Sequence, residues 1–153
     1  MSQSLSKLFV HVTFHIKRSS IPIGREIEDE LYAYMASIVK DNSSIPIIIN
    51  GVMDHVHVLC IMSKNVSLAH LVEKIKGQSS RWIKIRDEKY KRFMWQGGYG
   101  GFSVSPSVVE TTKRYIRNQK EHHRDKYYKE ELIEFLKLYE IDYDPRYLWD
   151  DED

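Results

Sequence analysis

The chain is poor in the features that mark specialised scaffolds. One cysteine, Cys60, among 153 residues leaves nothing to pair with in an internal disulfide, and the expectation is a reduced, cytoplasmic protein. Four prolines and seven glycines are too few for a collagenous or low-complexity chain. No apolar run approaches the roughly 18 residues of a membrane span. The start, MSQSLSKLFV, has no basic segment, apolar stretch and cleavage site, so no signal peptide is expected. Net charge is also scarce, with 23 Lys and Arg against 22 Asp and Glu. What remains is the composition of one ordinary globular domain, 42% hydrophobic and 29% charged.

The near-neutral total conceals a polarised chain. Residues 64–92 hold nine Lys and Arg against Glu73, Asp87 and Glu88, a balance of +6. Residues 113–126 hold six against Glu121 and Asp125, a balance of +4, whereas 127–153 hold three against ten acidic residues, a balance of −7. Clustered cations near phosphates release condensed counterions, so the two basic blocks suggest a polyanionic partner; a pair of solvated helix faces would carry the same charges.

Periodicity gives the architecture. Residues 7–16, KLFVHVTFHI, alternate as a strand, with Leu8, Val10, Val12, Phe14 and Ile16 on one face and Phe9, His11, Thr13 and His15 on the other. Gly24 to Lys40 carries Ile27, Leu31, Tyr34, Met35 and Ile38 at helical spacing and stops at DNSS. Ile45–Asn50 reads as a strand, Gly51 to Asp54 as a turn, and His55–Met62 as a strand that needs cover on both faces. Ser67–Asp87 is an amphipathic helix. Phe93 to Trp95 and Gly101–Ser105 are short strand candidates around QGGYGG, a helix runs from Ser107 toward His123, and a last helix spans Lys129–Tyr139. This order predicts an α+β, ferredoxin-like split βαβ sandwich, an antiparallel sheet with helices on one face and further C-terminal helices. In that topology the first and third strands are central neighbours, which puts the His11, Thr13 and His15 face beside the histidines of the third. Residues 1–125 are read as the main body of one domain, the part a resemblance given below makes its catalytic domain, and 126–153 as a C-terminal helix and acidic tail belonging to it.

Two constellations can carry chemistry. In His55-Val56-His57 the imidazoles project from one strand face with Cα atoms about 6.5–7 Å apart, a ready chelate, although such a pair is also common as structure. Asp54 either orients an imidazole or caps the turn. Tyr115 and Gln119 share a helix face at i and i+4, among Lys113, Arg114, Arg117 and Lys120; the alternative is a core tyrosine and a surface amide. Together the two sets offer two imidazoles and an amide oxygen for a hard divalent cation with positions left for phosphate, beside a phenol able to attack phosphorus. His122 and His123 face different directions on a helix and are read as solvent-exposed or phosphate-contacting. His11 and His15, about 13 Å apart along a strand, cannot share an ion, though either can assist the main pair. Tyr127 and Tyr128 lack an amide four residues on and are read as packing residues. The glycine loop lacks Gly-Lys-Ser/Thr and joins strand to strand, so it is a flexible turn, with Trp95 and Tyr99 available for stacking on bases. Cys60 is read as core.

Met53-Asp54 before His55-Val56-His57, the segment Met94-Trp95-Gln96-Gly97-Gly98-Tyr99, Tyr115-Ile116-Arg117-Asn118-Gln119, and the Tyr147-Leu148-Trp149 ending together resemble the single-tyrosine HUH transposases of small bacterial insertion sequences. The resemblance covers roughly residues 5–125. It implies a ferredoxin-like enzyme that excises and inserts single-stranded DNA, cutting it to leave a 5′-phosphotyrosine and a free 3′-hydroxyl with Mg²⁺ or Mn²⁺. It implies Tyr115 as nucleophile and His55, His57 and Gln119 as metal ligands. It also implies a homodimer whose tyrosine-bearing helix can complete the partner's active site. A basic surface would recognise hairpins at the element's ends, and Lys76, Arg81, Lys84, Arg114, Arg117 and Lys120 are the candidates for it. Domesticated relatives that process repeated extragenic hairpins fit the same residues. A noncatalytic module for single-stranded nucleic acid fits less well, because His55 and His57 stand where a stacking aromatic is expected. A replication nickase of the HUH kind usually needs a longer chain.

Overall fold

The structure, a computed structural model, describes residues 2–123 and 127–148. Four antiparallel strands form one sheet: β1 (Leu8–His15), β2 (Ile45–Gly51), β3 (His55–Met62) and β4 (Gly100–Val104), in the order β2-β3-β1-β4. Between them run α1 (Arg25–Asp41), joining β1 to β2, and α2 (Leu68–Arg86), joining β3 to β4. After β4 come α3 (Val109–Arg117), α4 (Gln119–His122), α5 (Tyr128–Leu138) and α6 (Pro145–Leu148). This is the expected split βαβ arrangement with a C-terminal addition.

The alternation of β1 and β3 divides the molecule. Val12 and Phe14 of β1 and Val56, Val58 and Cys60 of β3 face the main core, where they pack with Ile27, Leu31, Met35 and Ile38 of α1 and Leu71, Val72, Ile75 and Ile83 of α2. Trp95 closes this layer edge-on against Phe14 and Phe93, and its indole N–H donates to the Ser79 hydroxyl at 3.0 Å. Cys60 is buried there, and burial pushes its thiol up to about 12, which makes it inert. The intervening residues, His11, Thr13 and His15 with His55, His57 and Leu59, face the opposite side. The β1–β3 register sets Thr13 against His57 and His15 against His55, as the topology predicts.

Two elements differ from the periodicity. The Phe93–Trp95 candidate reduces to a single bridge between Ile16 and Trp95, with the Lys17 N–H donating to the Met94 carbonyl and the Gln96 N–H to the His15 carbonyl, both at 2.9 Å. The Lys76 ammonium donates to the Gln96 and Gly98 carbonyls at 2.6 and 2.7 Å, and Gly98 takes φ +82°, a conformation open to glycine. The helix expected from Ser107 to His123 begins as a 3₁₀ turn at Pro106–Val108 and breaks at Asn118. The cause is Asn50 of β2, whose amide donates to the Ile116 and Arg117 carbonyls at 2.9 and 3.2 Å and so caps α3 from outside. Ile116, buried with Leu59 and Val104, fixes the rotation of α3 against the sheet.

Candidate metal and nucleophile site

The second face of the sheet is polar where it should be apolar, and α3, α4 and α5 roof it. His11, Thr13, His55 and His57 project from the strands, all at 2% exposure or less. Tyr115 comes from α3, Gln119 from the first position of α4, His123 from just beyond it, and Glu131 from α5. Gln119 is fully buried and Tyr115 half-buried.

Glu131 is the hub. Its Oε1 lies 2.7 Å from His57 Nε2 and 3.6 Å from His55 Nε2. Its Oε2 lies 2.9 Å from His123 Nε2 and 3.3 Å from His122 Nε2, and it accepts from the Gln119 amide at 3.4 Å and from the Tyr115 hydroxyl. Carboxylates only accept, so the His57 Nε2–H donates to Glu131. His57 Nδ1 is then left to accept from the His11 Nε2–H at 2.7 Å. On the other imidazole, Asp54 accepts the Nδ1 proton of His55 at 2.7 Å, which turns the Nε2 lone pair toward Gln119 Oε1, 3.0 Å away. Asp54 thus orients an imidazole, one of its two sequence readings.

The electrostatics follow from burial. Desolvation is the largest influence on His57 and lowers it to about 4, against the upward pull of Glu131. Burial likewise lowers His11, helped by His57. Burial pushes the Glu131 carboxyl up, but hydrogen bonds from His123, His57 and Tyr115 and the charge of His57 outweigh it and hold it well below the carboxylate range. The Tyr115 phenol is raised by burial first and by the Glu131 charge and hydrogen bond next, so in this arrangement it is protonated at neutral pH. Neutral imidazoles, an amide oxygen and an ionised carboxylate are what a divalent cation takes as ligands. His55, His57, His123 and Glu131 offer donor atoms all within 4.8 Å of one another. His55 Nε2 and Gln119 Oε1 stand 3.0 Å apart, the spacing of two neighbouring ligands on one cation. The donor set therefore fits a cation.

The four residues singled out as the chemical core, Tyr115, His55, His57 and Gln119, are brought together within one chain. The six candidate DNA contacts are dispersed. Lys76, Arg81 and Lys84 lie on α2, across the sheet from this site, and Lys76 is engaged with the glycine loop. Lys120 holds Glu28 at 3.0 Å and the Gly51 carbonyl at 3.2 Å, while Arg114 and Arg117 are exposed on α3. His123 corrects the expectation of an exposed or phosphate-contacting pair: the break at Asn118 redirects α4 and leaves its side chain 8% exposed beside Glu131. Tyr128 is the packing residue expected, buried against His15 and His55, with its hydroxyl 3.3 Å from Thr13. Tyr127 is not, being 80% exposed. Trp149 and the acidic tail lie outside the described residues.

The residue that sequence reasoning missed is Glu131. A signal existed: Tyr128, Glu131, Leu132, Phe135 and Leu136 form one helical stripe, and a carboxylate in the middle of an apolar stripe needs a buried partner.

The family profile described as IS200-like transposase matches residues 4–119. The chain belongs to that family. Among solved structures, this transposase is similar to a proposed transposase from Deinococcus radiodurans R1, with a TM-score of 0.59 and 21% identity over 78% of this chain and 98% of that one. It is also similar to a REP-associated tyrosine transposase bound to a REP hairpin, with a TM-score of 0.49 and 12% identity over 78% of this chain and 70% of that one. No curated protein matches it. Among the described residues, no helix of this transposase is long and apolar enough to cross a membrane.

Proposed function

We propose that this chain is a metal-dependent transposase of single-stranded DNA that cleaves and rejoins strands through a 5′-phosphotyrosine at Tyr115, excising and inserting an insertion sequence. The observation that carries the reading is the convergence of the Tyr115 phenol with His55, His57 and Gln119 on one sheet face of a chain in the IS200-like transposase family. His55, His57 and Gln119 would hold Mg²⁺ or Mn²⁺, which supplies Lewis-acid polarisation of a scissile phosphate. Asp54 fixes the tautomer of His55, and His57 would hold the ion as its Nδ1–H tautomer, donating to His11 in place of the proton its Nε2 now gives to Glu131; Tyr115 attacks phosphorus, its proton passing to Glu131, its oxygen taking the 5′-phosphate, and the departing 3′-oxygen taking up a proton to leave as the hydroxyl. Reversal of that exchange by an incoming 3′-hydroxyl rejoins the strand without a nucleotide triphosphate.

The partner in this reading is single-stranded DNA with hairpins, met first by the exposed Arg114 and Arg117 beside the nucleophile, with Lys76, Arg81, Lys84 and Lys120 as the wider basic surface. The protein acts as a homodimer in the cytoplasm. Because Tyr115 reaches the histidines of its own chain, the dimer need not exchange tyrosines to complete a site. Residues 1–125 form the catalytic domain and 126–153 belong to the same domain, a division supported by α5 covering the site. The test is a denaturing gel with labelled single-stranded DNA carrying a hairpin and Mn²⁺. The wild-type chain is expected to form a covalent adduct and Tyr115→Phe to bind the same DNA without one. Adduct persisting in Tyr115→Phe would remove Tyr115 as nucleophile.

A further inference from the structure

We infer that Glu131 is a fourth, anionic donor to the cation, which makes α5, a helix beyond the family-matched residues 4–119, a working part of the metal centre. The inference rests on the reading of His55, His57 and Gln119 as ligands given above.

Position is the first argument. Donors held about 2.1 Å from a common ion lie roughly 3–4 Å from one another. One Glu131 oxygen, Oε1, already stands 2.7 and 3.6 Å from the two HUH imidazoles, and the wider set including His123 falls within 4.8 Å. Shifts of about 1 Å or less, opening the 2.7 Å pair and closing the widest, bring them into that range.

Charge is the second. Two imidazoles and an amide are neutral, so without Glu131 the ligands bring no negative charge to a dication. Asp54 is also near, but its oxygen is taken by the far nitrogen of His55. Glu131, by contrast, sits on the side of the imidazoles that carries the free or exchangeable nitrogen, at 2% exposure.

Burial is the third. A carboxylate at the centre of the Tyr128, Leu132 and Leu136 stripe is costly to desolvate, and an apolar residue would pack there at no such cost. Its hydrogen bonds come from His57, His123, Tyr115 and Gln119, which are ligand or nucleophile candidates rather than scaffold. The mixed nitrogen and oxygen set that results suits Mn²⁺ better than Mg²⁺, which prefers oxygen and its own water.

The experiment titrates the full-length chain, freed of metal by chelator, with Mn²⁺ alone. Affinity is followed by calorimetry and by the electron paramagnetic resonance signal of unbound Mn²⁺. In parallel, hydrogen exchange is read on the amides of α5. The wild type is expected to bind one Mn²⁺ and to slow exchange in α5. Glu131→Gln keeps the size of the side chain and is expected to lose affinity at least about tenfold, with no slowing in α5. Glu131→Asp, which keeps the charge on a shorter arm, is expected to fall between, and Glu130→Gln on the exposed side to behave as wild type. Circular dichroism confirms the fold of each variant, and Glu131→Asp carries the test if Glu131→Gln fails to fold. If Glu131→Gln binds as tightly as wild type while His57→Ala does not bind, the inference falls and the ligand reading stands. If the wild type itself takes up no Mn²⁺, both fall.

Discussion

The two faces of this sheet are built from the same strands and obey opposite rules. Toward α1 and α2, Val12, Phe14, Val56, Val58 and Cys60 meet apolar side chains and gain stability from area removed from water. Toward α3 and α5, one residue along in each strand, His11, Thr13, His55 and His57 are as thoroughly buried yet polar, each held by a specific partner. The difference teaches that burial has two uses here. On one side it holds the chain together; on the other it keeps imidazoles neutral and lone pairs aimed, at the expense of stability.

The comparison can be broken in three places. The largest effect is expected from Phe14→Ala, which opens a cavity under Trp95 and should cost about 3–5 kcal/mol of unfolding free energy, read from urea denaturation, while leaving Mn²⁺ affinity of the surviving native fraction unchanged. Equal losses of metal affinity and stability would mean that the two faces are not separable.

Next in size is the acid response of the metal-free protein. His57 is lowered from 6.5 to about 4 in the native state, so between those values the unfolded chain binds the extra proton. Stability therefore rises with pH across that window and is lost as the pH falls from about 6.5 toward 4. A thermal-melt series should show this slope, and His57→Gln should flatten it. A flat wild-type profile would place the destabilising burial elsewhere.

The smallest effect concerns surface charge. Neutralising Arg114 and Arg117 together should reduce the salt dependence of single-stranded DNA binding by a slope of about 2, whereas Arg81 and Lys84 on α2 should matter less. Equal changes from both pairs would make the α2 surface as much a DNA contact as the face that carries Tyr115.

Much of this was legible before any coordinates. Strict alternation in residues 7–16 and the near-continuous apolar run of 55–62 locate both strands, and the split βαβ order predicts that their histidines are neighbours. Tyr115 and Gln119 are legible from their spacing, even though the helix breaks at Asn118, between the two. That break was not legible, since its cause, Asn50, lies 66 residues away from Ile116 in sequence. His123 was misplaced for the same reason. Glu131 is hard to single out in the sequence, because a pair of glutamates near a helix start is an ordinary feature and only its place on the apolar stripe sets it apart.

The alternation in β3 also constrains how such a chain can change over generations. Substitutions along His55–Met62 alter one contact at a time, whereas inserting or deleting a single residue after Asp54 shifts the phase of everything downstream within the strand. The imidazole of one position would then be driven toward Phe14 and Ile27, and a valine would stand against the carboxylate of α5. Length variation should therefore be tolerated in the connections and forbidden inside this eight-residue segment, which behaves as a reading frame for chemistry.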